Sequence, residues 1–468
     1  MTDSRSLSPV PPQPHHVGPA RTLQEAAQTT VLQPLAAGDD RYVDLSPGQE
    51  SHHLLLMRQC LEDIAERPGD PMRENDYTKI VFSGHRGSGK TTHLRLIEQE
   101  FADRFYCVHL SLDDENLLED FDYTVFLLWL SEQLVHCLKR DGIGIDERLV
   151  KEVALWFAER TATDVNEAAM SGSVGLEGEA SAGGGLLGFG LKLLGRIKSE
   201  ARGSVTRREE IRTKLQSHAS DLMDKVNLLL SEAREQLNKN GRPPRLLVVQ
   251  DNLDKLKSDI ASRFYADTSG LLRQVQAHII FTAPVAETLT PFKIENVFVE
   301  SFQMPMIHAC TQEGRPFDPG ISVLRELVER RIDPALFEEE DLIRRICIAS
   351  GGNVRDLVRL ASQAARMARA LRLPRINDQC VEEAIKGMRQ EYEKTLAPRA
   401  RIYYPFLAGI HRTKLYGAGP GDSEELLRDL LDNSAILVYK NGDIWYDVHP
   451  TIRESKAFRK ALEELDAQ

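Results

Sequence analysis

Eight consecutive residues carry the plainest chemistry in the chain: Gly84, His85, Arg86, Gly87, Ser88, Gly89, Lys90 and Thr91. Their spacing fits G-x-x-x-x-G-K-[ST] without a mismatch, the pattern of a phosphate-binding loop. Glycine at 84, 87 and 89 lets the backbone turn tightly and bring its N–H groups against phosphate oxygens. A β-branched and aromatic run, Thr78 to Ser83, precedes the loop, and Thr92 to Glu98 reads as the start of an amphipathic helix. That helix N-terminus adds about half a positive charge facing the same anion. Lys90 would reach the β- and γ-phosphates, and the Thr91 hydroxyl would hold Mg²⁺. Thr92 closes the candidate nucleotide-binding set. Strand, loop and helix in this order predict an ATP–Mg²⁺ site.

The second half of the site is expected at Asp251. Leu246 to Gln250 is mostly apolar and ends in this acid, as a buried parallel strand does when it delivers a carboxylate at its carboxyl end. Asp251 would share Mg²⁺ with Thr91, usually through water. Asp254 either orients the attacking water or holds its own loop through an Asx-type bond. Asn252 stands where many such enzymes carry a glutamate base, and an amide takes no proton, so hydrolysis should be slow or depend on Asp254 or a partner. Thr282 ends another apolar run, His278 to Ala283, where it either senses the γ-phosphate or serves β-propensity alone. Arg355 opens a helix after Gly351-Gly352-Asn353 and is the arginine expected at the γ-phosphate. Arg359, Arg366 and Arg369 share its stripe and read as a solvated helix face. Arg330 and Arg331 are weaker candidates for action on a neighbouring subunit's nucleotide.

These side chains must be positioned by several domains, since 468 residues exceed a single core. Composition is that of a soluble globular protein, 41% hydrophobic and 28% charged, and the net charge of −12 argues against a surface wholly devoted to nucleic acid or acidic membrane. Six scattered cysteines without a C-x-x-C pair fit a reducing cytoplasm. No apolar stretch is long enough to span a bilayer. Residues 1–40, rich in Pro, Ser, Gln and Ala, read as a disordered leader. A mainly parallel α/β domain is expected over 41–310, with a helical insertion at about 140–240. Within that insertion, Ser171 to Gly195 is glycine-rich and reads as a flexible excursion, and one long polar helix follows from Thr206 to Asn238. Residues 311–398 form a helical lid. Residues 399–468 add helices and a hairpin turning at Asn441-Gly442, a winged-helix-like α+β module. That tail carries nine Lys/Arg against eleven Asp/Glu from 401 onward, which offers little of the basic footprint that DNA binding requires.

Together, the phosphate loop, the Asp251-Asn252-Leu253-Asp254-Lys255 stretch, the Thr282 strand and the Gly351-to-Arg355 helix resemble AAA+/STAND-type P-loop ATPases over about 75–395. The Asp-x-Leu-Asp-Lys stretch is similar to the metal-binding acidic motif of KAP-type members, and the lid and tail are similar to the replication-initiator branch. The resemblance implies a sensor role for Thr282 and for the lid arginine Arg355, homo-oligomers, and a protein partner or effector. For bacterial relatives it implies signalling or phage defence. The leading expectation is a slowly hydrolysing ATPase acting as a nucleotide-controlled switch. The alternative is a DNA-bound loader, and a small-molecule kinase is a third, disfavoured reading.

Overall fold

The computed structural model of the protein describes residues 18–29, 34–36, 38–112, 118, 121–161, 186–201, 205–289, 298, 300–416 and 423–467. Five strands, β1 (Lys79–Gly84), β2 (Tyr106–Ser111), β3 (Leu246–Asp251), β4 (His278–Ala283) and β5 (Glu300–Met304), form one sheet in the order β2-β3-β4-β1-β5. Every pairing in it is parallel. β1, β3 and β4 are buried along their whole length. Covered on both faces, they read as unbroken apolar runs rather than alternating ones. β4 lies between β1 and β3, so the loops leaving β1 and β3 open side by side over the end of β4. This rim at the strand carboxyl ends is where open α/β sheets bind ligands. The fold is therefore a five-stranded parallel α/β sheet with helical and small α+β additions.

Before the third strand run α1 (Leu23–Gln28), α2 (His53–Ala65), α3 (Lys90–Glu100), α4 (Tyr123–Arg140), α5 (Glu147–Thr161), α6 (Leu186–Ala201), α7 (Val205–Gln216) and α8 (Ala219–Lys239). Helices α4 to α8 cover one face of the sheet and share a core with Val108, Val248 and Phe281. α4 starts where the Asp122 carboxylate accepts the N–H groups of Thr124 and Val125, and it is buried along most of its faces.

Three expectations change here. Residues 18–29 of the expected leader are ordered, since α1 is capped reciprocally by Thr22 and Glu25 and buries Ala26 and Ala27. The glycine-rich run is helical from Leu186. Gly190 lets α6 close on α5, where a Cβ would come within 2.8 Å of Val150 Cγ1, and Leu194 is buried. Residues 162–185 of that insertion, and residues 113–117 after β2, lie outside the described residues. The long polar helix is two helices, broken at Ser217 and His218. α8 packs by a continuous apolar stripe (Leu222, Val226, Leu229, Leu230, Ala233, Leu237), so it is amphipathic rather than polar.

On its opposite face the sheet shares one continuous core with α1, α2, α3 and the lid helices α10 (Asp318–Glu329), α11 (Glu340–Ala349), α12 (Val354–Ala370) and α13 (Asp378–Leu396). A short helix, α9 (Val285–Leu289), follows β4. The chain then ends in α14 (Ala400–Thr413), α15 (Glu424–Asp432), the antiparallel hairpin β6 (Ile436–Asn441) and β7 (Asp443–Val448), and α16 (Lys456–Asp466). The hairpin turns at Gly442, as the Asn-Gly pair predicts. α16 had no counterpart in the sequence reading. This tail keeps its own core but takes in Val285 and Ala286 of α9, so it is seated on the sheet's rim. Among the described residues, no helix is long and apolar enough to cross a membrane.

Candidate nucleotide site

The loop between β1 and α3 is held from two sides. Gly87 has φ +85°, and a Cβ there would lie 2.5 Å from Arg355 Cβ and 2.7 Å from Asn353 Oδ1, so only glycine lets the lid helix approach this closely. Asn353 caps α12 by accepting the N–H groups of Arg355 and Asp356, while its own amide donates to the Arg86 carbonyl at 3.0 Å. The Arg355 N–H donates to the Gly87 carbonyl at 3.2 Å. The first turn of the lid is thus bonded directly to the phosphate loop. From the second side, the Arg86 guanidinium donates to the carbonyls of Asp254 and Lys255, tying the loop to the segment after β3.

Lys90 opens α3, and its ammonium donates to the Gly84 and His85 carbonyls, both at 2.8 Å. It also pairs with the Asp254 carboxylate at 2.7 Å, with side chains only 4% and 9% exposed. Asp254 therefore meets the phosphate-loop lysine, a role neither sequence alternative described. Asp251 is 1% exposed at the end of β3 and accepts the N–H of Asn252 at 2.7 Å. Burial first, and the neighbouring Asp254 charge second, push its carboxyl above the usual carboxylate range, while hydrogen bonds from the Thr91 side chain and the Asn252 backbone oppose that rise. Its Oδ2 is buried without a hydrogen-bond partner in the protein. A buried carboxylate oxygen left open beside a threonine hydroxyl is the donor set a hard divalent cation accepts, so Thr91 and Asp251 fit Mg²⁺.

Asn252 is left-handed at φ +68°, a conformation asparagine tolerates, and its amide donates to Ser111 Oγ at 2.8 Å. Thr282 is fully buried, and its hydroxyl accepts the Leu253 N–H at 2.9 Å and donates to the Gln250 carbonyl at 3.4 Å. It fastens the post-β3 loop to β4 and is not among the residues that line the cavity described next.

A cavity of about 600 Å³ opens in front of these groups. Gly87, Gly89, Lys90, Thr91 and Thr92 line its phosphate end, with Asn252 and Asp254 beside them, and Arg355 with Val354 and Val358 forms the lid side. Gly84, His85, Arg86, Ser88 and Asp251 do not line it. The remaining wall is the segment read as leader and its continuation: Leu35, Arg41, Tyr42, Val43 and Leu45. Leu35 N–H donates to Thr92 Oγ1, and Arg95 to the Pro34 carbonyl, which fastens this wall to α3. Sequence reasoning missed that wall, although the Thr22-to-Glu25 capping box is a local signal that this segment folds. Arg331 also lines the cavity of its own chain, donating to the Arg41 and Leu327 carbonyls, and burial lowers its pKa to about 10. Arg330 instead pairs with Glu326 and the Asp40 carbonyl. The arginine stripe of α12 is not merely solvated: Arg359 pairs with Glu391, and Arg366 donates to the Ala27 carbonyl of α1.

No protein-family model matches the chain, and no curated protein is similar to it. Solved structures resemble it over most of its length. The ORC2 protein of Aeropyrum pernix, in ADPNP–ADP complexes, is 12% identical over 94% of this chain and 99% of its own, with a TM-score of 0.40. The Walker-type ATPase paby2304 of Pyrococcus abyssi is 15% identical over 93% and 99%, also at 0.40. Cdc6p of Pyrobaculum aerophilum is 14% identical over 90% and 99%, at 0.34.

Proposed function

We propose that the protein binds ATP with Mg²⁺, hydrolyses it slowly, and works as a nucleotide-controlled switch within an oligomer or toward a protein partner. The observation that carries this reading is the convergence of three elements on one cavity: Lys90 at the head of α3, Asn252 and Asp254 just after β3, and Arg355 at the head of the lid. The ammonium of Lys90 would turn from Asp254 and the loop carbonyls to the β- and γ-phosphates. Thr91 and Asp251 would hold Mg²⁺, which neutralises charge on the phosphates when bound. Asp254, released by Lys90, would be left as a carboxylate facing the cavity where Asn252 can accept no proton. Thr282 contributes by holding that loop in register.

Arg355 can favour lid closure only by contacting the γ-phosphate more strongly in the closed form than in the open one. Arg355→Ala is expected to keep ATP affinity within a few-fold of wild type. It should lower turnover, or ATP-dependent assembly, by about 10-fold or more, as loss of a charge-assisted bond predicts. Steady-state phosphate release together with particle size, each with and without ATP, checks this. Wild-type turnover in the variant would remove Arg355 from the chemistry.

The DNA-loader alternative is disfavoured by α15, the helix that precedes the hairpin. It carries Glu424, Glu425, Asp429 and Asp432 against Arg428, and its apolar face is packed in a core with Val285 and Ala286 of α9. Duplex DNA binding in a salt series is expected to be weak and no stronger with ATP. Salt-dependent affinity that ATP raises would restore the loader reading.

A further inference from the structure

His85 is the second residue of the phosphate loop and 2% exposed, yet its ring does not line the cavity. It turns toward the tail, where Nε2 accepts the backbone N–H of Val438 in β6 at 3.0 Å. An accepting ring nitrogen carries no hydrogen. Burial, and then the nearby Lys90 charge, hold the ring's pKa down to about 3, so it is neutral with its hydrogen on Nδ1. That Nδ1 is buried and has no hydrogen-bond partner in the protein. A buried donor left unmatched makes the docked arrangement less favourable than one in which water reaches the ring.

Other contacts offset this. Tyr439 donates its hydroxyl hydrogen to the Gly351 carbonyl at 2.8 Å, Arg428 of α15 pairs with buried Glu287 of α9, and Ser258 donates to Asp432 at 2.9 Å. The same His85 that meets β6 through its ring gives its carbonyl to Lys90. A ligand that draws Lys90 away therefore perturbs the residue on which the tail rests.

We propose that the C-terminal domain is a latch on the phosphate loop: β6, through His85, stabilises the arrangement in which Lys90 is turned onto the loop carbonyls and Asp254, and a bound nucleoside triphosphate weakens that hold. This rests on the nucleotide reading above. Linkage makes the effect reciprocal, so the docked tail weakens nucleotide binding by the same factor that the nucleotide weakens docking.

Hydrogen exchange on the full chain, with and without ATP–Mg²⁺, tests the latch together with ATP titration of two variants. His85→Ala removes the acceptor, and Arg428→Ala loosens the tail far from the loop. Exchange across residues 436–441 should accelerate about 5-fold or more when ATP binds, and each variant should bind ATP about 5-fold or more tightly than wild type. If one variant does not fold, the other decides. Wild-type chain that binds ATP with unchanged exchange across 436–441, or unchanged affinity in the folded variants, overturns the latch and leaves the nucleotide site standing. Failure of the wild type to bind ATP overturns both.

Discussion

Lys90→Ala is expected to weaken ATP binding by at least about 100-fold, since hydrogen bonds to a charged group contribute about 1.5–3 kcal/mol each and at least two would be lost. The structure adds a second consequence. Lys90 is ion-paired with the Asp254 carboxylate, and both side chains are nearly enclosed. Removing one member of a buried pair leaves an uncompensated charge, which costs about 3–5 kcal/mol. A fall in affinity in the single variant therefore mixes lost phosphate contact with lost stability. Adding Asp254→Asn to Lys90→Ala separates the two. The double variant should recover much of the stability, measured by denaturant titration, and none of the ATP affinity. Affinity close to wild type in either variant would show that this lysine does not hold phosphate.

The second large effect is expected at Gly352, in the turn that delivers Asn353 and Arg355 to the loop. Its φ is +82°, and a Cβ there would stand 1.7 Å from the Ile307 carbonyl oxygen. Gly352→Ala must displace backbone, not a flexible side chain, so a loss above about 3 kcal/mol is expected. Because the turn seats the lid on the phosphate loop, ATP turnover should fall with it. Gly387→Ala, inside α13 with nothing within 4 Å of the added carbon, is the matched control. It should be neutral or stabilising by up to about 1 kcal/mol. Equal behaviour of the two variants in denaturation would mean that the close packing at residue 352 does not matter.

What could be read from the sequence follows the range of the signals. The phosphate loop is local, eight residues between a strand and a helix, and its elements stand where the spacing predicts. The acid at the end of β3 and the polar end of β4 were legible for the same reason: a buried parallel strand is an apolar run with a polar terminus. What Thr282 touches was not legible. Its hydroxyl is satisfied by Leu253 and Gln250 only because β4 lies next to β3, a matter of strand order. The leader was misjudged because α1 is six residues long, too short to persist without tertiary support. That support comes from Ser362 and Arg366, more than 300 residues away. The glycines near 190 looked like flexibility, but at Gly190 the missing side chain is what lets two helices touch. The His85–Val438 contact spans 353 positions, and no local pattern could announce it.

Calorimetric titration of ATP into the full chain, with and without Mg²⁺, for wild type and Asp251→Asn, tests the shared pocket most directly. One ATP per chain is expected, bound more tightly with magnesium in the wild type and with that gain lost in Asp251→Asn. Wild-type affinity that ignores magnesium, or a magnesium gain that survives in Asp251→Asn, would contradict the account.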